Sequence, residues 1–119
     1  LDEARYRADY AAKYLAIRKG GRIGLVQVDD VVYVKGAGAY AELVLRDGTR
    51  ELHDKSLDRL HTLLPPVFER IHRSYLVNMR EVSHLTVSEG SRYTAVLHSG
   101  EELPVGRTRY KEIRAKLGG

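Results

Sequence analysis

Hydrophobic and polar positions along this chain alternate with two different periods. Between Arg22 and His53, and again between His84 and Val105, short β-branched runs are cut by turn residues. They are "RIGLVQV", "VVYV", "YAELVL" and "TRELH", then "HLTVSE", "RYTAVLHS" and "EELPV". Such runs predict strands. Asp47-Gly48 and Ser99-Gly100 lie between alternating segments, and Glu89-Gly90 is a weaker instance of the same signal. Glycine supplies the positive backbone dihedral of a tight turn, so three hairpins are expected. Helical spacing recurs in three places. Residues 2–18, "DEARYRADYAAKYLAIR", are Ala-rich and free of Gly and Pro, with Tyr6, Tyr10, Tyr14 and Ile17 on one stripe; "KGG" at 19–21 is expected to stop this helix. The stripe reads as a packing face for this domain, for an upstream domain or for a second copy. Ser56 is placed to cap a short helix through Leu64, with Leu57, Leu60 and Leu64 on one face and Pro65-Pro66 ending it. A last helix begins near Thr108 and turns Tyr110, Ile113 and Leu117 inward. The expectation is one mainly β domain with little helix.

Composition narrows the function. At 119 residues the chain can bury a single modest core, with no room for a two-lobed enzyme around a large cofactor. It has no cysteine, and its five histidines are scattered without metal-ligand spacing, so neither a metal nor a cofactor is expected. No apolar run approaches the roughly 20 residues of a membrane span. The first residue is Leu1 and no signal-peptide core follows it, which reads as a piece of a longer cytoplasmic protein. The net charge is only +4, but it is unevenly spread. From Gly106 to Lys116, Arg107, Arg109, Lys111, Arg114 and Lys116 face the single acid Glu112. A polyanion partner and a solvated basic helix face both fit that run.

The densest chemistry is in "FERIHRSYLVNM", Phe68 to Met79, where core-forming side chains surround Arg70, His72, Arg73, Ser74 and Asn78. A catalytic reading would pair His72 with Ser74. No acid at suitable spacing orients the histidine, and nothing suggests an oxyanion hole, so the chain is not read as an enzyme. His72, Ser74 and Asn78 suit the satisfaction of buried backbone groups. Arg70 and Arg73 lie three apart, so at least one is expected to point outward, where an arginine reads phosphate or the guanine edge. "KGAGAY", Lys35 to Tyr40, is glycine-rich but followed by a strand and matches no phosphate-binding loop. It is either a hairpin connection or a place for close backbone approach to a ligand. "LPVGRTRYK", Leu103 to Lys111, delivers Gly106, Arg107, Thr108 and Arg109 at a strand-to-helix junction, beside helix N-terminal amides that favour phosphate.

Taken in order, "IGLVQVDDVVYVKGAGAYAELVLRDG", "SLDRL", "FERIHRSYLVN" and "LPVGRTRYKEI" resemble the LytTR-type DNA-binding domain, the output module of many bacterial response regulators. The resemblance runs from about Arg22 to Leu117. It implies packed, mostly antiparallel β-sheets that bind duplex DNA through loops, with residues 21–119 as the DNA-binding domain and residues 1–20 as a linker helix from an upstream receiver domain. Carried over by position, the family's contacts fall on the loop at Ala39, Tyr40 and Ala41, on Arg73, and on Arg107; Lys35, Arg109 and Lys111 are then expected to take phosphates beside them. His72, Ser74 and Asn78 would brace the segment that carries Arg73. In this loop only Tyr40 could hydrogen-bond, where some relatives place a polar base-reading side chain. The resemblance also implies paired direct repeats as target, with the chain dimeric on DNA and mostly monomeric alone. The competing reading is a β module that binds RNA or a protein partner. One Phe and no Trp weaken the RNA case, since single-strand readers display stacking aromatics on a sheet face.

Overall fold

The computed structural model describes residues 11–117. In chain order the strands are β1 (Tyr14–Lys19), β2 (Arg22–Gln27), β3 (Val31–Ala37), β4 (Tyr40–Leu45) and β5 (Arg50–His53). Helix α1 (Leu57–Leu63) follows, then β6 (Phe68–His72), β7 (Tyr75–Asn78), β8 (Val82–Ser88), β9 (Arg92–Leu97), β10 (Glu102–Val105) and helix α2 (Arg107–Lys116). The strands form three antiparallel sheets: β1-β2, a central sheet in the order β5-β4-β3-β7-β6, and β10-β9-β8. The mainly β expectation is met.

The central sheet carries apolar side chains on both faces, so a layer covers each. Val31, Val34, Ala41, Leu43, Phe68 and Leu76 pack with Leu15, Ile17 and Val26 of β1-β2 and with Leu57, Leu60 and Leu64 at α1. On the other face Tyr33, Val44, Ile71 and Val77 pack with Ala95, Leu97, Leu103, Val105 and Ile113. Two-residue alternation along β6 sorts its charged residues the same way. Arg70, on the side of Phe68, reaches Asp58 of α1; Glu69, on the side of Ile71, reaches Lys116 of α2 at 3.0 Å.

The hairpins fold at the expected glycines. Leu45 donates its amide to Thr49 O across Asp47-Gly48, and Leu97 donates to Glu101 O across Ser99-Gly100. Ser56 Oγ accepts from Arg59 N at 3.2 Å at the start of α1. Two expectations are corrected. The helix expected over residues 2–18 does not extend through Tyr14–Arg18, which belong to β1, and the rest of that stretch before residue 11 lies outside the described residues. "KGG" is a hairpin turn, with Gly20 and Gly21 at φ 47° and 77°, so the β1-β2 ladder outweighs the helix propensity of an Ala-containing segment. Leu15 and Ile17 then face the core while Tyr14 points out. The second correction is Leu117, which is exposed; Ile113 alone is buried on α2, with Tyr110 half-buried against Tyr93.

Candidate nucleic-acid interface

One end of the central sheet gathers the termini that bear the polar segments: the end of β3, the start of β4, the end of β6 and the start of β7. Antiparallel pairing alone puts them together. The β3-β4 hairpin closes tightly, with Ala37 opposite Tyr40 and Gly38-Ala39 as the two turn residues; Gly38 has φ 69°. Ala39 and Tyr40 are exposed at its tip. Ala41 is corrected as a contact: it is fully buried opposite His53 and offers no side chain to a ligand, because the residue after an outward Tyr40 must face inward. Lys35 is exposed, and its Nζ stands 6.0 Å from the ring of Tyr75 on the neighbouring strand.

Between β6 and β7, Arg73 and Ser74 form a two-residue turn flanked by the pair His72 and Tyr75. Backbone carbonyls through this turn are each accounted for by a donor. Ile71 O accepts from Gly106 N and Ser74 O accepts from Gly36 N, both at 2.8 Å. His72 O and Arg73 O accept from the guanidinium of Arg70. Segments far apart in sequence are thus bonded to one four-residue stretch: the glycine-rich β3 end on one side, the β10-α2 junction on the other. The side chain of Arg73 is exposed and makes no ion pair among the described residues.

His72 Nδ1 accepts the Ser74 amide at 3.0 Å, so the neutral ring carries its proton on Nε2. Burial, reinforced by the charges of Arg73 and Arg70, lowers its pKa. Ser74 enters the network through its backbone, by the same bond and by its carbonyl. Asn78, 3% exposed, donates Nδ2 to Val31 O at 3.3 Å and accepts Arg80 N on Oδ1 at 3.0 Å.

At the β10-α2 junction Gly106 is the N-cap, and Arg107 and Lys111 are exposed one turn apart. Arg114 continues that stripe one further turn and was read in the sequence only as part of a basic run. Arg109 differs from its neighbours: it is half-buried, packs its stem beside Gly106, and lies 3.6 Å from Glu112. Lys35, Ala39, Tyr40, Arg73, Arg107 and Lys111 are thus each exposed, Arg109 is partly occupied by Glu112, and the Ala41 side chain is buried. Arg70, which sequence left open as an outward reader, is internal, on the Phe68 face of β6 and paired with Asp58.

No cluster of His, Cys, Asp or Glu suited to a metal is present among the described residues, and no helix there is long and apolar enough to cross a membrane. Comparison with known proteins gives a consistent picture. The model of the LytTr DNA-binding domain matches residues 21–118. The sensory transduction protein LytT of Bacillus cereus is 32% identical over 96 residues, covering 80% of this chain and 39% of that protein. The transcriptional regulatory protein BtsR of Escherichia coli is 25% identical over 108 residues, covering 91% of this chain and 44% of that protein. The chain thus spans less than half the length of these relatives. A solved LytTr DNA-binding domain of a methyl-accepting/DNA response regulator from Bacillus cereus superposes with a TM-score of 0.80 at 22% identity, over 92% of this chain and all of that one, which shows the fold. With the family model covering nearly all of the described residues, this chain belongs to the LytTR family of DNA-binding domains, which bind DNA in the regulation of transcription.

Proposed function

We propose that the sheet end bearing Arg73 lies against duplex DNA and reads its sequence. The observation that carries this reading is the pair of 2.8 Å bonds, Gly36 N to Ser74 O and Gly106 N to Ile71 O, which hold three cation-bearing segments in one frame. Base reading needs guanidinium groups on rigid supports, and phosphate contacts need free cations around them. Arg73 and Arg107 take base edges, Ala39 and Tyr40 approach at the hairpin tip, and Lys35, Lys111 and Arg114 take phosphates. Arg109 takes a phosphate only by releasing Glu112. His72, Ser74 and Asn78 brace the turn. The domain acts without catalysis or cofactor, in the cytoplasm, as the output module of a response regulator, with the residues before β1 connecting it to an upstream receiver domain. Two copies occupy paired direct repeats, and the isolated chain is mostly monomeric.

Selection of duplexes from a random pool, followed by anisotropy titration of the winner and its scramble at two salt concentrations, tests this. A recovered direct repeat bound better than its scramble at both salts is expected. Binding that is salt-sensitive but equal for both duplexes, or tighter for single-stranded RNA, overturns sequence-specific DNA recognition, since counterion release alone is blind to sequence.

A further inference from the structure

Arg70 shares a strand with the DNA-facing turn, yet its side chain is only 11% exposed and turns back into the protein. Nε donates to His72 O at 2.8 Å, Nη2 donates to Arg73 O, and Nη1 donates to Asp58 Oδ1 at 2.6 Å. One planar fork therefore holds two successive carbonyls of the turn, and the first turn of α1 holds the fork. The carbonyls on either side, Ile71 O and Ser74 O, are taken by backbone amides. Without Arg70 the turn keeps its two ends but loses the bonds between them, at the residue whose side chain leaves toward DNA. Only a guanidinium supplies three donors in a fixed plane; a lysine ammonium at the same place is a point charge that cannot meet all three acceptors.

We propose that Arg70, fixed by Asp58, is a positioning residue for base recognition: it sets the direction in which the Arg73 side chain leaves the turn and does not itself touch DNA. This rests on reading Arg73 as a base contact. Asp58 is 87% exposed, and its carboxyl is held below its usual range by the Arg70 bond first and, more weakly, by nearby cations that include Arg109. The pair therefore couples α1 to the turn beside the α2 N-terminus.

The test uses the whole chain with Arg70→Lys, Asp58→Asn, Arg73→Ala and the double variant Arg70→Lys/Arg73→Ala. Two measurements are made: amide hydrogen exchange at Gly36 and Ser74 in the free protein, and affinity for a set of duplexes each changed at one base pair. Arg70→Lys is expected to speed exchange at both amides by about tenfold or more, since their partners lie in the loosened turn. It is also expected to flatten preference at the base pair that Arg73→Ala flattens, to leave the salt slope unchanged, and to add nothing to Arg73→Ala in the double variant. Asp58→Asn moves the same quantities less and keeps the guanidinium in place should Arg70→Lys fold poorly. Unchanged exchange in both single variants overturns the clamp. Additive losses overturn action through Arg73, and a shallower salt slope in Arg70→Lys overturns its distance from DNA. A wild-type chain with no base preference overturns the specificity role and the DNA reading together, and the exchange data then show separately whether the clamp holds the turn.

Discussion

Gly36 donates its amide to the carbonyl of Ser74 at 2.8 Å, and this bond joins the glycine-rich strand end to the arginine-bearing turn. Close packing accompanies it. A methyl group on Gly36 would meet Leu57 Cδ2 at 3.4 Å and Ser74 O at 3.8 Å, which is ordinary contact, and Gly36 is not in the left-handed region. Gly36→Ala is therefore expected to change stability by less than about 1 kcal/mol, whereas Gly36→Leu drives its branch into Leu57 and costs about 1–3 kcal/mol. Denaturant midpoints of the two variants check this, and equal midpoints contradict it.

Arg107 and Lys111 lie one turn apart on the same helix and are expected to respond differently. Arg107→Ala should cost roughly 1–3 kcal/mol of binding and flatten preference at one base pair. Lys111→Ala should weaken binding to all sequences alike and reduce the salt slope by about 1. Uniform loss for Arg107→Ala would reassign it to phosphate.

His72 and His53 each accept a backbone amide on Nδ1, from Ser74 and Lys55 respectively, and both are neutral in the folded protein. Burial is the main cause of their lowered pKa values; for His53 the charge of Lys55 acts the same way and Asp54 opposes it. From an ordinary value of 6.5, the unfolded chain takes up protons before the folded one does as pH falls. Stability is thus fully present above that value and declines below it, toward the lowered folded values. The denaturant midpoint is expected to fall as pH drops below 6.5, and less steeply in His72→Ala. At about pH 7 His72→Ala should also lose about 1 kcal/mol of stability, because the Ser74 amide loses its acceptor. An unchanged midpoint there would remove the bracing role.

Tyr33, 2% exposed, donates its hydroxyl to Glu101 Oε2 at 2.6 Å, bridging the central sheet and the β9-β10 turn. Burial and then the Glu101 carboxylate push its pKa up to about 12. Tyr33→Phe keeps the ring in the core and is expected to cost about 1–2 kcal/mol, the lower range for a bond to a charged group that can be resolvated. Base preference should stay unchanged, which duplex titration of the variant checks.

Much of this was legible in the sequence because local chemistry and tertiary structure agree. The Asp47-Gly48 and Ser99-Gly100 turns, the Ser56 cap and the Leu57/Leu60/Leu64 face each follow from one or two residues. The first segment misleads because Tyr10, Tyr14 and Ile17 fit a helical stripe while Leu15 and Ile17 fit a strand; a partner strand decides, and β2 is that partner. The runs that predict strands omit "FERIH" and "YLVN" because their polar residues hide the alternation, although Phe68 and Ile71 face opposite cores. Ala41 was named by its position in a motif, and only the pleat of β4 shows that it points inward. Arg70's inward fork required knowing that α1 stands over that face of β6.

The three segments at the interface come from residues 35–40, 71–75 and 106–111, and long-range backbone bonds join them. That separation has a kinetic meaning. A recognition helix can form within its own stretch of chain, but this surface exists only after loops of some thirty residues have closed, and topologies dominated by non-local pairing fold slowly, in roughly milliseconds to seconds. During synthesis, which proceeds at about 5–20 residues per second, the third segment emerges last. On the proposed reading, the nascent chain holds Arg73 for several seconds with neither the Gly106 bond nor Arg107 beside it, so the DNA-facing surface is completed only when the third segment arrives.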